Sequence, residues 1–345
     1  MKYFRAMNLV TGGTGLVGSH LIYALLKRGE KVRATKRANS NITDTELAFS
    51  FYAKETAATF MAQIEWVDAD LENPIDVDAV CAGITTIYHC AAQVSFRPQD
   101  AHRLRTINPL ITANLVNAAL ANGVNYFAHV SSVAALGRVK DQSQKITEKT
   151  LWKDSDENSN YAISKYGAEL EVWRGIEEGL TAGIVNPGII VGPGNWNHSS
   201  NKFFKRFSKP FKYYSDGAGG FVDVRDVTQA LLTLTDKQIH AERFILVGQN
   251  LPYRELFNAL AKAYGHTPPQ KASNTFILNF LWRTEYIRSL IFGTDPLVTK
   301  ETARTATNNW KYDNTKAQEI LGISFHDVIN SVAEFVPYYR ERFGN

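Results

Sequence analysis

Cysteine is scarce. The two present among 345 residues, Cys81 and Cys90, have neither metal-ligand nor disulfide-framework spacing and read as buried thiols of a reducing, cytoplasmic compartment. Charge of one sign is also lacking. Lys and Arg total 38 against 34 Asp and Glu, a net +4 spread along the chain, which argues against nucleic acid or a membrane surface as partner. No long apolar run is present: the most apolar late stretch, 276–292, is broken by Arg283, Glu285 and Arg288, so no spanning helix is expected. The first strand follows Met1 so closely that no signal peptide is expected either. None of the eight histidines pairs at ligand spacing with supporting carboxylates, so no metal is expected. Repeats and low-complexity tracts are absent.

What the chain does have is a glycine-rich turn. Residues 10–18 read Val-Thr-Gly-Gly-Thr-Gly-Leu-Val-Gly, between an apolar strand (8–11) and a helix with apolar Leu16, Leu21, Ile22, Leu25 and Leu26. Gly12 permits the tight turn, Gly15 lets backbone N–H groups approach a pyrophosphate at the positive helix end, and Gly18 lets helix and strand pack closely. Further strands are predicted at 31–37, 63–67, 85–89, 125–130 and 180–185. Helices are predicted at 44–62, 101–121 and 161–178. Such alternation predicts an α/β fold, a doubly wound parallel sheet of Rossmann type with ligands at the carboxyl ends of its strands. Beyond Val185 the pattern loosens, returning to the sheet at 243–247. The expected organisation is a dinucleotide-binding domain over 1–190, with a return near 220–250, and a smaller substrate lobe mainly over 191–345.

Tyr161 and Lys165 stand one turn apart on one helix face. A neighbouring ammonium lowers the pKa of a phenol and suits it to proton transfer at neutral pH. Ser131 and Ser132 end the fifth strand. Lys36 and Arg37 end the second, where an acid would accept from the ribose hydroxyls of NAD; two cations favour the 2′-phosphate of NADP(H).

The Gly-x-x-Gly-x-x-Gly spacing, Tyr161-Ala-Ile-Ser-Lys165 and Ser131-Ser132 resemble the extended short-chain dehydrogenase/reductase superfamily, or NAD-dependent epimerase/dehydratase family. The Val-Arg-Ala-Thr strand, residues 186–193 and Phe221-Val-Asp-Val-Arg-Asp-Val227 resemble its dihydroflavonol-4-reductase-like members. That resemblance implies cofactor contacts from Gly12, Thr14, Gly15, Leu16, Val17, Gly18, Lys36, Arg37, Ser131, Tyr161, Lys165, Pro187 and Ile190. It adds Asp70 and Leu71 at the adenine, and Ala91 and Ala92 of the turn after His89, with His89 itself packing. It implies Ser132, Tyr161 and Lys165 as catalytic residues, with Asn108 holding the middle helix open around a water, although Pro109 departs from the usual pattern. Gln93, Val94 and Phe96 are substrate candidates, and a homodimer is implied.

The implied reaction is hydride transfer from NADPH to the carbonyl of a small apolar or aromatic substrate. Two alternatives stay open within the superfamily, a 3β-hydroxysteroid-type dehydrogenase/isomerase and a nucleotide-sugar epimerase, although Gly219 stands where sugar-nucleotide enzymes carry an arginine. A non-catalytic NADP sensor is a third. The segment 201–214, five basic residues interleaved with aromatics, reads as an amphipathic helix packed by its aromatic side or as a substrate lid. The loop 138–160 is expected to border the pocket, with Trp152 as its wall or as a loop anchor.

Overall fold

Seven parallel strands form the central sheet of the computed structural model, which describes residues 6–95, 98–139, 141, 143–155, 158–273, 282–286, 288–289 and 307–344. The chain runs β1 (Met7–Thr11), α1 (Leu16–Lys27), β2 (Lys31–Lys36), α2 (Thr43–Tyr52), α3 (Ala57–Met61), β3 (Ile64–Asp68), α4 (Pro74–Cys81) and β4 (Thr86–His89). It continues through α5 (Ala101–Ala121), β5 (Tyr126–Val130), β6 (Lys145–Ile146), α6 (Asn160–Glu177), β7 (Ala182–Pro187), β8 (Ile189–Val191), α7 (Lys202–Phe207) and β9 (Tyr213–Tyr214). Then come β10 (Ala218–Asp223), α8 (Val224–Asp236), β11 (Glu242–Leu246), β12 (Gln249–Pro252), α9 (Tyr253–Ala263), β13 (Lys271–Ala272), β14 (Lys311–Tyr312) and a C-terminal helix (Val328–Phe343).

The sheet order is β11-β7-β5-β4-β1-β2-β3. The order reverses between β1 and β4, so the glycine turn after β1 and the turn after β4 flank the crevice where a doubly wound sheet binds ligands. Both faces are covered, and neighbouring strand residues are therefore buried on opposite sides. Val10, Val32, Ala34 and Val185 pack with α1, α2 and α8, while Leu9, Ile87, Phe127 and Ile184 pack with α4, α5 and α6. A separate core of Phe204, Phe207, Leu256, Leu260, Phe335 and Tyr339 holds the smaller lobe. That lobe rests on a three-stranded sheet in the order β12-β10-β8. Its attachment includes Arg225, which meets Asp223 at 2.7 Å and Glu334 at 2.9 Å.

Two local expectations change. The single helix over 44–62 is two helices, because Ala53 leaves the helical region at φ −149°, ψ 66°; both pieces still bring rings to Tyr23, from Tyr52 and Phe60. Helix α5 runs from Ala101 to Ala121 with Pro109 inside it. Gly167 of α6 makes room for that proline, since a Cβ at 167 would lie 2.8 Å from Pro109 Cγ. The 201–214 segment forms the short α7 and strand β9, with Phe204 and Phe207 buried and Lys202, Lys205 and Arg206 exposed. Trp152 stacks on Tyr166 of α6 at 4.4 Å, which anchors its loop. Among the described residues no helix is long and apolar enough to cross a membrane.

Candidate active site

The glycine turn is built so tightly that side chains are excluded from its inner wall. A Cβ at Gly18 would lie 2.2 Å from the Gly12 carbonyl oxygen, and one at Gly12, whose φ is +68°, would lie 2.8 Å from the Ala91 backbone. The turn is pinned from outside, where the buried Thr45 hydroxyl donates to the Gly13 carbonyl at 3.1 Å. Helix α1 then starts at Gly15 with no side-chain cap and no acidic residue in its first turn. Its first N–H groups and positive dipole end therefore suit a pyrophosphate, and the site fits a dinucleotide. Thr14 and Leu16 are half-buried, Val17 and Gly18 buried, and Gly15 exposed.

Across the switch point the turn after β4 is held by a directional chain of hydrogen bonds. The Thr112 hydroxyl donates to the Asn108 carbonyl at 2.8 Å, so His89 Nε2 donates to Thr112 Oγ1 at 3.0 Å and Nδ1 accepts from the Thr11 hydroxyl at 2.8 Å. Thr11 Oγ1 in turn accepts the Ala91 N–H at 3.2 Å. His89 is wholly buried, and burial, assisted by the Lys165 charge, lowers its pKa to about 3. It packs as a neutral ring.

Asn108, 1% exposed, is turned toward the turn after β4. Its amide clamps the Gln93 peptide, accepting from Gln93 N at 2.7 Å and donating to Gln93 O at 3.0 Å, with a further bond to the Ser164 hydroxyl at 3.1 Å. It is thus a positioning residue for the Ala91–Gln93 turn. Val94 is exposed, and Phe96 lies outside the described residues.

The proton-transfer candidates converge where β5 meets α6. Ser159 caps α6 by accepting from Ala162 N at 3.0 Å, which places half-buried Tyr161 in the first turn. The Ser132 side chain accepts from Ala134 N at 3.1 Å and lies toward the Tyr161 phenol. Burial pushes the phenol's pKa up, and the Ser132 hydroxyl pulls the other way. The lowering expected from Lys165 is not what this geometry gives, because the buried ammonium of Lys165 is turned to the Val130 carbonyl at 2.8 Å. Burial lowers Lys165 itself to about 8, opposed by the Glu169 charge.

Glu169 was not legible as a site residue. It lies two turns beyond Tyr161 on the same face and is 1% exposed. It accepts from the Ser131 hydroxyl at 2.6 Å, Asn186 Nδ2 at 2.7 Å and Arg243 at 2.8 Å. Asn186 Nδ2 also donates to the Ser132 carbonyl at 3.1 Å. One buried carboxylate therefore ties the serine segment, β7 and β11 beneath the proton-transfer group. The signal available was the i, i+4, i+8 spacing of 161, 165 and 169; nothing local marked Asn186 or Arg243. Pro187 is buried and Ile190 half-buried just beyond, at the carboxyl end of β7 and in β8.

At the β2 end Lys36 is ion-paired with Asp68, while Arg37 is exposed and makes no ion pair among the described residues. Asp70 is exposed, its carboxylate accepting from Glu72 N at 3.0 Å, and the Leu71 carbonyl accepts from Asn114 at 3.0 Å. No group of three potential metal ligands occurs among the described residues.

This arrangement has counterparts. The chain is 28% identical over 341 residues to sterol demethylase protein B of Methylococcus capsulatus, covering 97% of this chain and 98% of that protein. It is 28% identical over 338 residues to a putative dihydroflavonol 4-reductase of Synechocystis, covering 96% and 94%. The crystal structure of gox2253 superposes with a TM-score of 0.79 at 27% identity, covering 98% of each chain. The model of the NAD dependent epimerase/dehydratase family matches residues 8–248. With its Rossmann-like sheet and glycine turn, the chain belongs to the NAD-dependent epimerase/dehydratase family.

Proposed function

We propose that the protein is an NADPH-dependent reductase that transfers a hydride to the carbonyl carbon of a small apolar or aromatic aldehyde or ketone. The observation that carries this reading is the convergence of Ser132, Tyr161 and Lys165 where the end of β5 meets the first turn of α6, with the Lys165 ammonium anchored to the Val130 carbonyl at 2.8 Å, at the carboxyl edge of the sheet. A bound nicotinamide dinucleotide supplies the hydride. The pyrophosphate belongs on the α1 N-terminus, the adenine near Asp70 and Leu71, the 2′-phosphate at Arg37, and the nicotinamide end near Ala91, Ala92, Pro187 and Ile190.

In this reading the chain's own groups manage the proton. Tyr161 donates its phenolic proton to the substrate oxygen as negative charge develops there, and the Ser132 hydroxyl donates a second hydrogen bond that orients that oxygen. Lys165, held by the Val130 carbonyl, keeps a positive charge one helical turn from Tyr161, where it can meet the ribose of the bound dinucleotide. Asn108 holds the Gln93 peptide, and with it one wall of the substrate space. Similarity to a putative dihydroflavonol 4-reductase supports reductive chemistry rather than the redox-neutral epimerase route.

The test is oxidation of NADPH, with NADH in parallel, across aldehydes, 2-oxoaldehydes, dihydroflavonols and ketosteroids, in the native protein and Tyr161→Phe. Turnover with some carbonyl, lost in Tyr161→Phe with cofactor affinity retained, is the expected result. Cofactor binding with no turnover on any carbonyl would refute the reductase and favour the isomerase, epimerase or sensor alternatives.

A further inference from the structure

We infer that Asp68 is a specificity-determining residue for the cofactor. It holds Lys36 in a cross-strand ion pair, so discrimination for a 2′-phosphate falls to Arg37, and NADH is admitted beside NADPH. This inference rests on the reading of the site as a nicotinamide dinucleotide site.

The geometry follows from the register of β2 and β3. These strands are parallel, with Ala34 opposite Trp66 and Lys36 opposite Asp68. Ala34 and Trp66 face the glycine turn, since a Cβ at Gly13 would lie 3.1 Å from Ala34 Cβ and 3.0 Å from Trp66 Cζ3. Side chains alternate along a strand, so Lys36 and Asp68 stand on that same side, one step nearer the carboxyl edge. In this class of fold the adenosine ribose lies there, and an acid at the end of the second strand accepts from its hydroxyls. Here the second strand supplies a cation in that place, and the third supplies the acid.

The charges near this edge are already matched in pairs, with one exception. Arg33 meets Glu65 at 2.7 Å, and Lys36 meets Asp68, leaving Arg37 as the cation of the 33–37 stretch without an ion pair among the described residues. The Lys36 side chain is 19% exposed and that of Asp68 is 59% exposed. The carboxylate therefore keeps a solvent-facing oxygen that can accept from a ribose hydroxyl and that repels a phosphate dianion. A ribose hydroxyl gains an acceptor where a phosphate meets a lysine already engaged and the carboxylate that engages it.

Cofactor binding tests this without knowledge of the substrate. NADPH and NADH are titrated against the native chain, Asp68→Asn, Lys36→Met, Arg37→Ala and the Asp68→Asn/Lys36→Met double variant at one fixed low salt concentration. Removing the Asp68 charge should raise the NADPH-to-NADH affinity ratio roughly fivefold, the effect of one charge on a dianion across a partly exposed site. Adding Lys36→Met to Asp68→Asn should cancel that gain. Because Asp68 is exposed, the asparagine variant folds as the native chain does, and circular dichroism verifies it. A ratio unchanged by Asp68→Asn, or both affinities moving equally, overturns the inference. Failure of the native chain to bind either cofactor, or a ratio unmoved by Arg37→Ala, overturns the underlying placement of the nucleotide instead.

Discussion

Mild acid should destabilise this protein steeply, because it keeps three histidines neutral in its core. His20 donates from Nε2 to the Pro193 carbonyl at 2.8 Å and accepts the Tyr52 hydroxyl at 2.6 Å; burial lowers its pKa to about 4. His89 is lowered to about 3. His129, 5.1 Å from the His89 ring, has no hydrogen-bond partner at either nitrogen among the described residues and is lowered well below the usual value by burial, then by the Lys165 charge and the neighbouring His89. His20 and His89 are uncharged in the folded chain at pH 5 and His129 shifts in the same direction, whereas an unfolded chain protonates histidine near pH 6.5. The unfolded state thus binds more protons below pH 6.5, and stability falls with pH. At pH 5 His20 and His89 have each lost about 2 kcal/mol, from about 1.5 pH units at about 1.4 kcal/mol per unit. The two together amount to about 4 kcal/mol, a large part of the whole stability of many domains, and His129 adds in the same direction. Urea unfolding followed by tryptophan fluorescence at pH 7 and pH 5, at constant ionic strength, measures this directly. His129→Leu removes one titrating ring and two unpaired nitrogens, so it should flatten the pH dependence. A loss below about 2 kcal/mol between the two pH values, or a His129→Leu protein with the native pH slope, would refute the assignment of these rings as neutral and buried.

Two further predictions concern the proton-transfer site. Glu169→Leu leaves the Arg243 guanidinium, hydrogen-bonded to Glu169 at 2.8 Å, without its buried partner, so thermal or urea unfolding should show a loss of about 3–5 kcal/mol. Glu169→Gln should retain more stability but lower turnover, since the Ser131 and Asn186 bonds set the serine segment. Burial lowers Lys165 to about 8, so its ammonium is lost as pH rises through that value. Once a substrate is in hand, turnover should therefore decline along a limb near pH 8 that Lys165→Met abolishes along with most activity; an activity flat to pH 10 would argue against a charged Lys165 in the reaction.

The glycine turn, the alternation of strands and helices, and the one-turn spacing of Tyr161 and Lys165 were legible in the chain because each is local. A turn needing positive φ at Gly12, a helix whose first turn must lie bare, and two side chains one turn apart are properties of short segments. Tertiary structure decided which charges remain available. Lys36 and Asp68 are 32 residues apart and become neighbours through parallel register; Glu169 and Arg243, 74 apart, meet because β11 returns to the edge of β7. Asn108 carries the same residue type that the resemblance implied, and it clamps the Gln93 peptide, while α5 carries Pro109 inside it and Gly167 admits that ring. Spacing along a chain determines which groups share a helix face or a turn. Crossover connections determine which distant charges are brought within a few ångströms, and so which of them are left to meet a ligand.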